Sequence, residues 1–274
     1  MERLPTLEDD GLTAPEVGEW GEEKYQLVRC YADIFSSAMT GKNWTSLVYL
    51  DLFAGSGRAK LADSRRIVPS TALLVLEVPK PFSTYVFSEL DSKKTEALRR
   101  RVSSHANRDV HVVEGDTNEQ VSKIVAFLPA GSLTFCFADP YRLENLRFET
   151  FREIAQHRRA DFLVLIPSGM DANRNEANYV KPGNDVVAKF TGQHDWRDRV
   201  TKRGGMSFGD FVADEFGRSM ATLDYLYNGL PSTKVIVNSK NVTLYRLAFF
   251  SRHPLGAKFW DDCRKYTNPQ RPLF

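Results

Sequence analysis

Apolar positions recur at helical spacing near the start of the chain. Trp20, Tyr25, Leu27, Val28, Tyr31, Ile34 and Phe35 form one stripe. It predicts a helix from Glu19 to about Met39, ended by Gly41. The pattern then changes. Short runs rich in valine, leucine and phenylalanine stand at Ser46–Phe53, Thr84–Ser88, Val110–Val113, Leu133–Ala138 and Phe162–Ile166. Most are continuous rather than alternating, as expected of strands in a parallel sheet covered on both faces. Helical segments separate them at Thr71–Glu77, Ser92–Ser104, Glu119–Phe127 and Arg147–Gln156. This alternation predicts an α/β fold with a doubly wound, Rossmann-like sheet.

Three stretches stand outside the alternation. Residues 1–18 hold two prolines, two glycines and many acids, and read as a poorly ordered lead-in to the helix. Residues 1–45 together form an N-terminal helical extension. Residues 58–69 read as a loop. Residues 168–232, with many asparagines, glycines and charges, read as an inserted cap with a helix at Phe208–Met220. The chain closes with strand-like runs at Thr233–Asn238 and Thr243–Arg252, a turn at Ser239–Asn241 between them, and a helix at Gly256–Lys265. The two runs predict an antiparallel hairpin at the sheet edge, and residues 1–274 read as one domain.

Composition narrows the class without naming a function. A hydrophobic share of 42% and a charged share of 26% suit a folded globular protein. A net charge of +2 is far from that of a dedicated nucleic-acid coat. No apolar run approaches the roughly 20 residues that a membrane span needs, and the acidic start does not read as a secretory signal. Cys30, Cys136 and Cys263 are far apart in sequence, so a disulfide framework is not expected and a reducing cytoplasm is the default compartment. The five histidines stand singly, no zinc-type spacing occurs, and no metal is expected.

Four motifs lie at successive strand ends. In Tyr49-Leu-Asp-Leu-Phe-Ala-Gly-Ser-Gly57, a strand runs through Asp51 and Phe53 into the small turn Ala54, Gly55, Ser56 and Gly57. Glycine admits positive φ and a close ligand, free N–H groups in the turn can meet a carboxylate, and Asp51 is placed to handle an amino group. Glu89 ends the next strand, where its two oxygens suit a pair of ribose hydroxyls, and Asp91 reads as the following helix cap. Gly115-Asp116-Thr117 ends the third, with Asp116 placed to accept from an adenine amino group. Asp139-Pro140-Tyr141 ends the fourth: a carboxylate to accept a proton or hydrogen bond, a rigid turn, and a ring on which a planar substrate could stack. Each motif alone also reads as a simple turn. Asn173, Arg174 and Asn175 follow the fifth strand, where a substrate loop would lie.

Together the motifs resemble those of class I S-adenosylmethionine-dependent methyltransferases, whose last strand turns back antiparallel. That resemblance implies S-adenosylmethionine as cofactor, held by Asp51, Phe53, Ala54, Gly55, Ser56, Gly57, Glu89, Asp116 and Thr117. Asp139-Pro140-Tyr141 resembles the Asp/Asn-Pro-Pro-Tyr signature of enzymes that methylate amines of nucleic-acid bases, with one proline where the signature has two. A narrower likeness spans nearly the whole chain. Lys24, Tyr31, Tyr49–Gly57, Ser70–Leu73, Phe87–Glu89, Gly115–Asn118, Asp139–Tyr141, Arg174-Asn175, Tyr245–His253 and Phe259-Trp260 resemble the bacterial three-Cys-motif partner proteins. The likeness implies a partner that carries a three-cysteine motif, which this chain lacks. The expected reaction is in-line displacement at the sulfonium methyl, with Asp139 orienting or deprotonating a nucleophile on a nucleic acid, peptide or small molecule. The alternatives are a non-catalytic binding subunit of the three-Cys-motif protein and a nicotinamide-dependent oxidoreductase, which the terminal hairpin disfavours.

Overall fold

A computed structural model describes residues 3–266. In chain order the strands are β1 (Glu16–Val17), β2 (Leu47–Asp51), β3 (Arg58–Leu61), β4 (Ile67–Pro69), β5 (Thr84–Glu89), β6 (Asp109–Glu114), β7 (Leu133–Ala138), β8 (Arg159–Ile166), β9 (Lys234–Val237) and β10 (Thr243–Phe250). The α-helices are α1 (Trp20–Met39), α2 (Thr71–Leu76), α3 (Ser92–Val102), α4 (Val121–Ala126), α5 (Phe148–His157), α6 (Glu176–Tyr179), α7 (Val186–Thr191), α8 (Trp196–Val200), α9 (Phe208–Ala221) and α10 (Pro254–Tyr266).

Among the described residues the main sheet has seven strands in the order β6-β5-β2-β7-β8-β10-β9. The first five are parallel, β10 runs antiparallel to β8, and β9 runs antiparallel to β10. This is the expected α/β, Rossmann-like sheet with its terminal antiparallel hairpin. A doubly wound dehydrogenase sheet would keep its last strands parallel.

Continuous apolar strands divide by parity. Val48, Leu50, Cys136, Ala138, Phe162, Val164, Ile166, Ala248 and Phe250 face one layer, built by α4, α5, α7 and α9. Tyr49, Phe87, Phe135, Phe137, Leu163, Leu165, Leu247 and Phe249 face the other, built by α1, α2, α3 and α10. With side chains alternating across the sheet, only apolar residues at both parities can bury both faces. Aromatic rings fill both layers: Tyr31 lies 4.7 Å from Phe135 and from Phe249, and Phe216 lies 5.3 Å from Phe151.

Three expectations change. The lead-in is packed rather than loose. Leu4 is buried, β1 pairs with β3, and Leu7 N–H donates to Ile67 O at 2.8 Å. Residues 58–69 are not a plain loop, because β3 and β4 form a hairpin that joins β1 in a small second sheet. Residues 168–232 are more than a surface insertion. Phe208, Phe211, Phe216 and Met220 bury one face of α9 in the core layer beside Phe162 and Phe250. The apolar recurrence within Phe208–Met220 is the stripe that does this. A π-helix, Ser168–Asn173, leads into this segment from β8. It fits because glycine lets the backbones close in. A Cβ on Gly169 would meet Thr243 O at 1.9 Å, and one on Gly209 would meet Ser168 O at 2.1 Å.

Among the described residues no helix is long and apolar enough to cross a membrane, and no cluster of three His, Cys, Asp or Glu is placed to hold a metal.

Candidate functional site at the carboxyl edge of the sheet

Neighbouring strands β5, β2 and β7 end side by side, so Glu89, the glycine turn after Asp51, and Asp139 share one edge. In α/β sheets ligands bind outside this edge. The register aligns Asp51 with Phe137, two residues before Asp139.

The glycine turn is held from several sides. Gly55 N–H donates to Glu89 Oε2 at 2.9 Å, and Asp91 N–H donates to Glu89 Oε1 at 2.9 Å. Glu89 thus ties the turn to the end of its own strand, and each oxygen keeps a second lone pair for a ligand hydroxyl. Ala54 N–H donates to Ser88 O, and Ser70 N–H donates to Gly57 O, both at 2.9 Å. Gly55 has φ +65° with open space where a Cβ would stand, so a ligand can approach its backbone. Gly57, at φ +84°, lies instead against Leu73 and Leu98. Phe53 is half-buried, while Ala54 and Ser56 are buried. Arg101 braces the turn from behind: its guanidinium donates to Ser56 O at 2.7 Å and grips both oxygens of Asp10 in the lead-in. That grip holds the Asp10 carboxyl down at about 2.

Asp51 has no exposed surface, which corrects its expected role as a direct ligand group. Its oxygens accept from Thr71 Oγ1 at 2.7 Å, Phe53 N–H at 3.1 Å and Tyr49 OH at 3.2 Å. It shapes the turn from beneath. Burial pushes its carboxyl up to about 7 against those hydrogen bonds, with the Asp139 charge adding to the rise.

Asp139 is half-buried, and its Oδ2 accepts from Lys24 Nζ. Lys24 is 8% exposed and lies over the rings of Tyr25 (5.1 Å) and Tyr245 (5.9 Å). Burial alone would lower the lysine pKa, but the Asp139 charge overrides it and raises the pKa above its ordinary value. Lys24 therefore stays an ammonium. Pro140 is buried behind Asp139, and Tyr141 is 70% exposed, with the Arg142 guanidinium 6.0 Å from its ring centre. Sequence reasoning gave Lys24 no part in the site. The usable signal was a lysine on the apolar stripe of α1, three, four and seven positions before Leu27, Val28 and Tyr31.

Asp116 stands at the end of the edge strand β6, where its Oδ1 accepts from Asn118 backbone and side-chain N–H groups at 2.8 Å. Thr117 beside it is buried, and its hydroxyl has no hydrogen-bond partner among the described residues. A buried hydroxyl without a partner is costly unless a ligand or water meets it. The Asn173–Asn175 group sits farther round, at the end of the π-helix. Asn173 accepts from Gly209 N–H at 2.6 Å and so caps α9, while Asn175 donates to Asp171 Oδ1 at 2.7 Å. Asp171 also accepts from Leu143 N–H and Tyr179 OH, both at 2.8 Å, pinning the segment after Tyr141. Asn173 and Asn175 are thus engaged within the protein. Arg174 is exposed and has no side-chain partner among the described residues.

No family model matches the chain, and no curated protein matches its sequence. Among solved structures, protein LPL1258 of Legionella pneumophila, of the family designated DUF519, is similar over 91% of this chain and 94% of that one, at 13% identity and a TM-score of 0.53. An O-methyltransferase from Bacillus cereus, solved in complex with SAH, covers 88% of this chain and 85% of its own at 13% identity and a TM-score of 0.48. The likeness to the Legionella protein is one of fold.

Proposed function

We propose that the chain is an S-adenosylmethionine-dependent methyltransferase that works with a three-Cys-motif protein. The observation that carries this reading is the bond from Gly55 N–H to Glu89 Oε2 at 2.9 Å, at the carboxyl edge of a sheet that ends in an antiparallel hairpin. It sets an open backbone turn against a carboxylate, a pairing suited to a nucleoside that carries an amino-acid tail. The site's own chemistry fits that group. Gly55 leaves space for approach, Glu89 keeps two lone pairs for ribose hydroxyls, and the Thr117 hydroxyl lacks a partner next to Asp116. When bound, S-adenosylmethionine supplies an electrophilic methyl group.

The remaining work falls to this chain. Lys24 holds Asp139 Oδ2 and leaves Oδ1 to accept a hydrogen bond from an incoming nucleophile. An ion-paired carboxylate serves first to orient that nucleophile and second to receive its proton. Pro140 fixes the turn, and Tyr141 offers a face on which a planar acceptor stacks. The ordering of these groups before the acceptor arrives is what accelerates transfer.

Incubation with labelled S-adenosylmethionine and fractionated cell extract, with and without the three-Cys-motif protein, tests the reading. It predicts label in one extract fraction that depends on Asp139 and increases with the partner. Binding of S-adenosylhomocysteine with no transfer to any fraction would favour a non-catalytic binding subunit. A thermal shift with NAD and none with S-adenosylmethionine would contradict both.

A further inference from the structure

Two thiols that stand 233 positions apart in sequence meet where α1 packs on α10. Cys30 Sγ and Cys263 Sγ are 2.8 Å apart, closer than the ordinary contact of two sulfur atoms. Cys136 is excluded from the pair, because it is buried in the opposite layer of the sheet. The distance between Cys30 and Cys263 along the chain hides this meeting, because it does not register two helices that pack side by side from opposite ends of the sequence.

We propose that Cys30 and Cys263 are a modification site: they form a reversible disulfide that staples α1 to α10 on exposure to a peroxide. Access orders the step. Cys30 is half-buried and reachable from solvent, whereas Cys263 is fully buried. The contact between the two sulfurs lowers the Cys30 thiol below its ordinary value, and that same contact, with burial, pushes the Cys263 thiol up. Cys30 attacks one peroxide oxygen and the O–O bond breaks, giving a Cys30 sulfenic acid and water or an alcohol. The Cys263 sulfur then attacks the sulfenic sulfur, the S–S bond forms, and the hydroxyl leaves as water with the thiol proton. The two electrons lost by the thiols have reduced the peroxide, and a dithiol reverses the change by exchange. The bond fixes the middle of the helix that also carries Lys24 in its second turn.

The test uses the full, reduced chain treated with hydrogen peroxide, then denatured and labelled at its remaining thiols. Labelling should fall from all three cysteines to Cys136 alone. Peptide mapping should show Cys30 joined to Cys263, and dithiothreitol should restore all three labels. The melting temperature should rise on oxidation and return on reduction. Cys30→Ser should keep its two remaining thiols and show no peroxide-dependent rise. Persistence of three free thiols in the unsubstituted chain, a bond that uses Cys136, or a bond between two chains would each overturn the proposal. The labelling and mapping need no substitution, so they stand even if a serine at either position impairs folding.

Discussion

The two edges of the sheet each bury a carboxylate beneath a tyrosine hydroxyl, yet they are built for different ends. At the carboxyl edge Asp51 is surrounded by a glycine turn, by Glu89 and by the Lys24–Asp139 pair. At the amino edge Asp161 accepts from Tyr31 OH at 2.7 Å beside a pocket of about 550 Å³ lined by Phe35, Met39, Trp44, Leu133, Leu255 and Phe259. The amino edge thus has a roomy cavity, whose lining also carries Lys42, Arg159, Arg252 and His253. The carboxyl edge has donors and acceptors that converge on the glycine turn. Chemistry follows from where parallel strands all end, since each contributes its last polar residue to one line. Helix α1 runs the length of the sheet and serves both edges, with Lys24 at one and Tyr31 at the other.

The comparison breaks most visibly in methyl transfer. Asp139→Asn should lower transfer by about 100-fold or more, the scale of a lost general base or orienting acceptor, with cofactor affinity nearly intact. Asp161→Asn should leave transfer unchanged. Equal effects of the two in labelled-methyl assays would erase the distinction between the edges.

Stability gives the next contrast. Lys24→Met leaves Asp139 without its counter-charge and should cost up to about 3 kcal/mol in urea unfolding, the low end for a buried pair, because Asp139 keeps some solvent. Tyr31→Phe removes one neutral donor from Asp161 and should cost about 1–2 kcal/mol. A larger loss for Tyr31→Phe would mean that the amino edge holds α1 in place.

The smallest effect is on pH dependence. Burial raises Asp161 to about 6 and Asp51 to about 7, from an ordinary 3.8. The native chain therefore holds these protons more tightly than the unfolded chain. The stability this gives is fully present below 3.8 and is lost as pH rises through about 6 and then about 7. In melting curves across this range, Asp161→Asn should flatten the fall up to about 6 and leave the fall toward 7 that belongs to Asp51. A variant whose curve parallels the parent throughout would place the titration elsewhere.

Strands and long helices were legible because their apolar runs are local: Leu133–Ala138 matches β7 end to end, and Asp91 caps α3 by accepting from Lys94 N–H. The terminal hairpin was legible from its turn. What escaped depends on distant partners. Residues 3–18 carry few apolar groups, and their order comes from Arg101, from Glu22 and from the edge of β3. Arg58–Leu61 and Ile67–Pro69 are too short to stand out as strands alone. In the site, the acids at strand ends could be named from their motifs. Asp51 could not be told from a ligand-facing acid, because Thr71 and Tyr49 claim its oxygens only in the fold. Lys24 was visible as a residue, while its partner lies 115 positions away.

Titration calorimetry with S-adenosylhomocysteine on three proteins tests the central claim most directly. The carboxyl edge, not the amino-edge pocket, should hold the cofactor. The unsubstituted chain and Asp161→Asn should bind alike, and Glu89→Ala should bind more weakly by about 1–3 kcal/mol, the worth of charged hydrogen bonds to the ribose. An unchanged affinity in folded Glu89→Ala, or a loss confined to Asp161→Asn, would contradict the account.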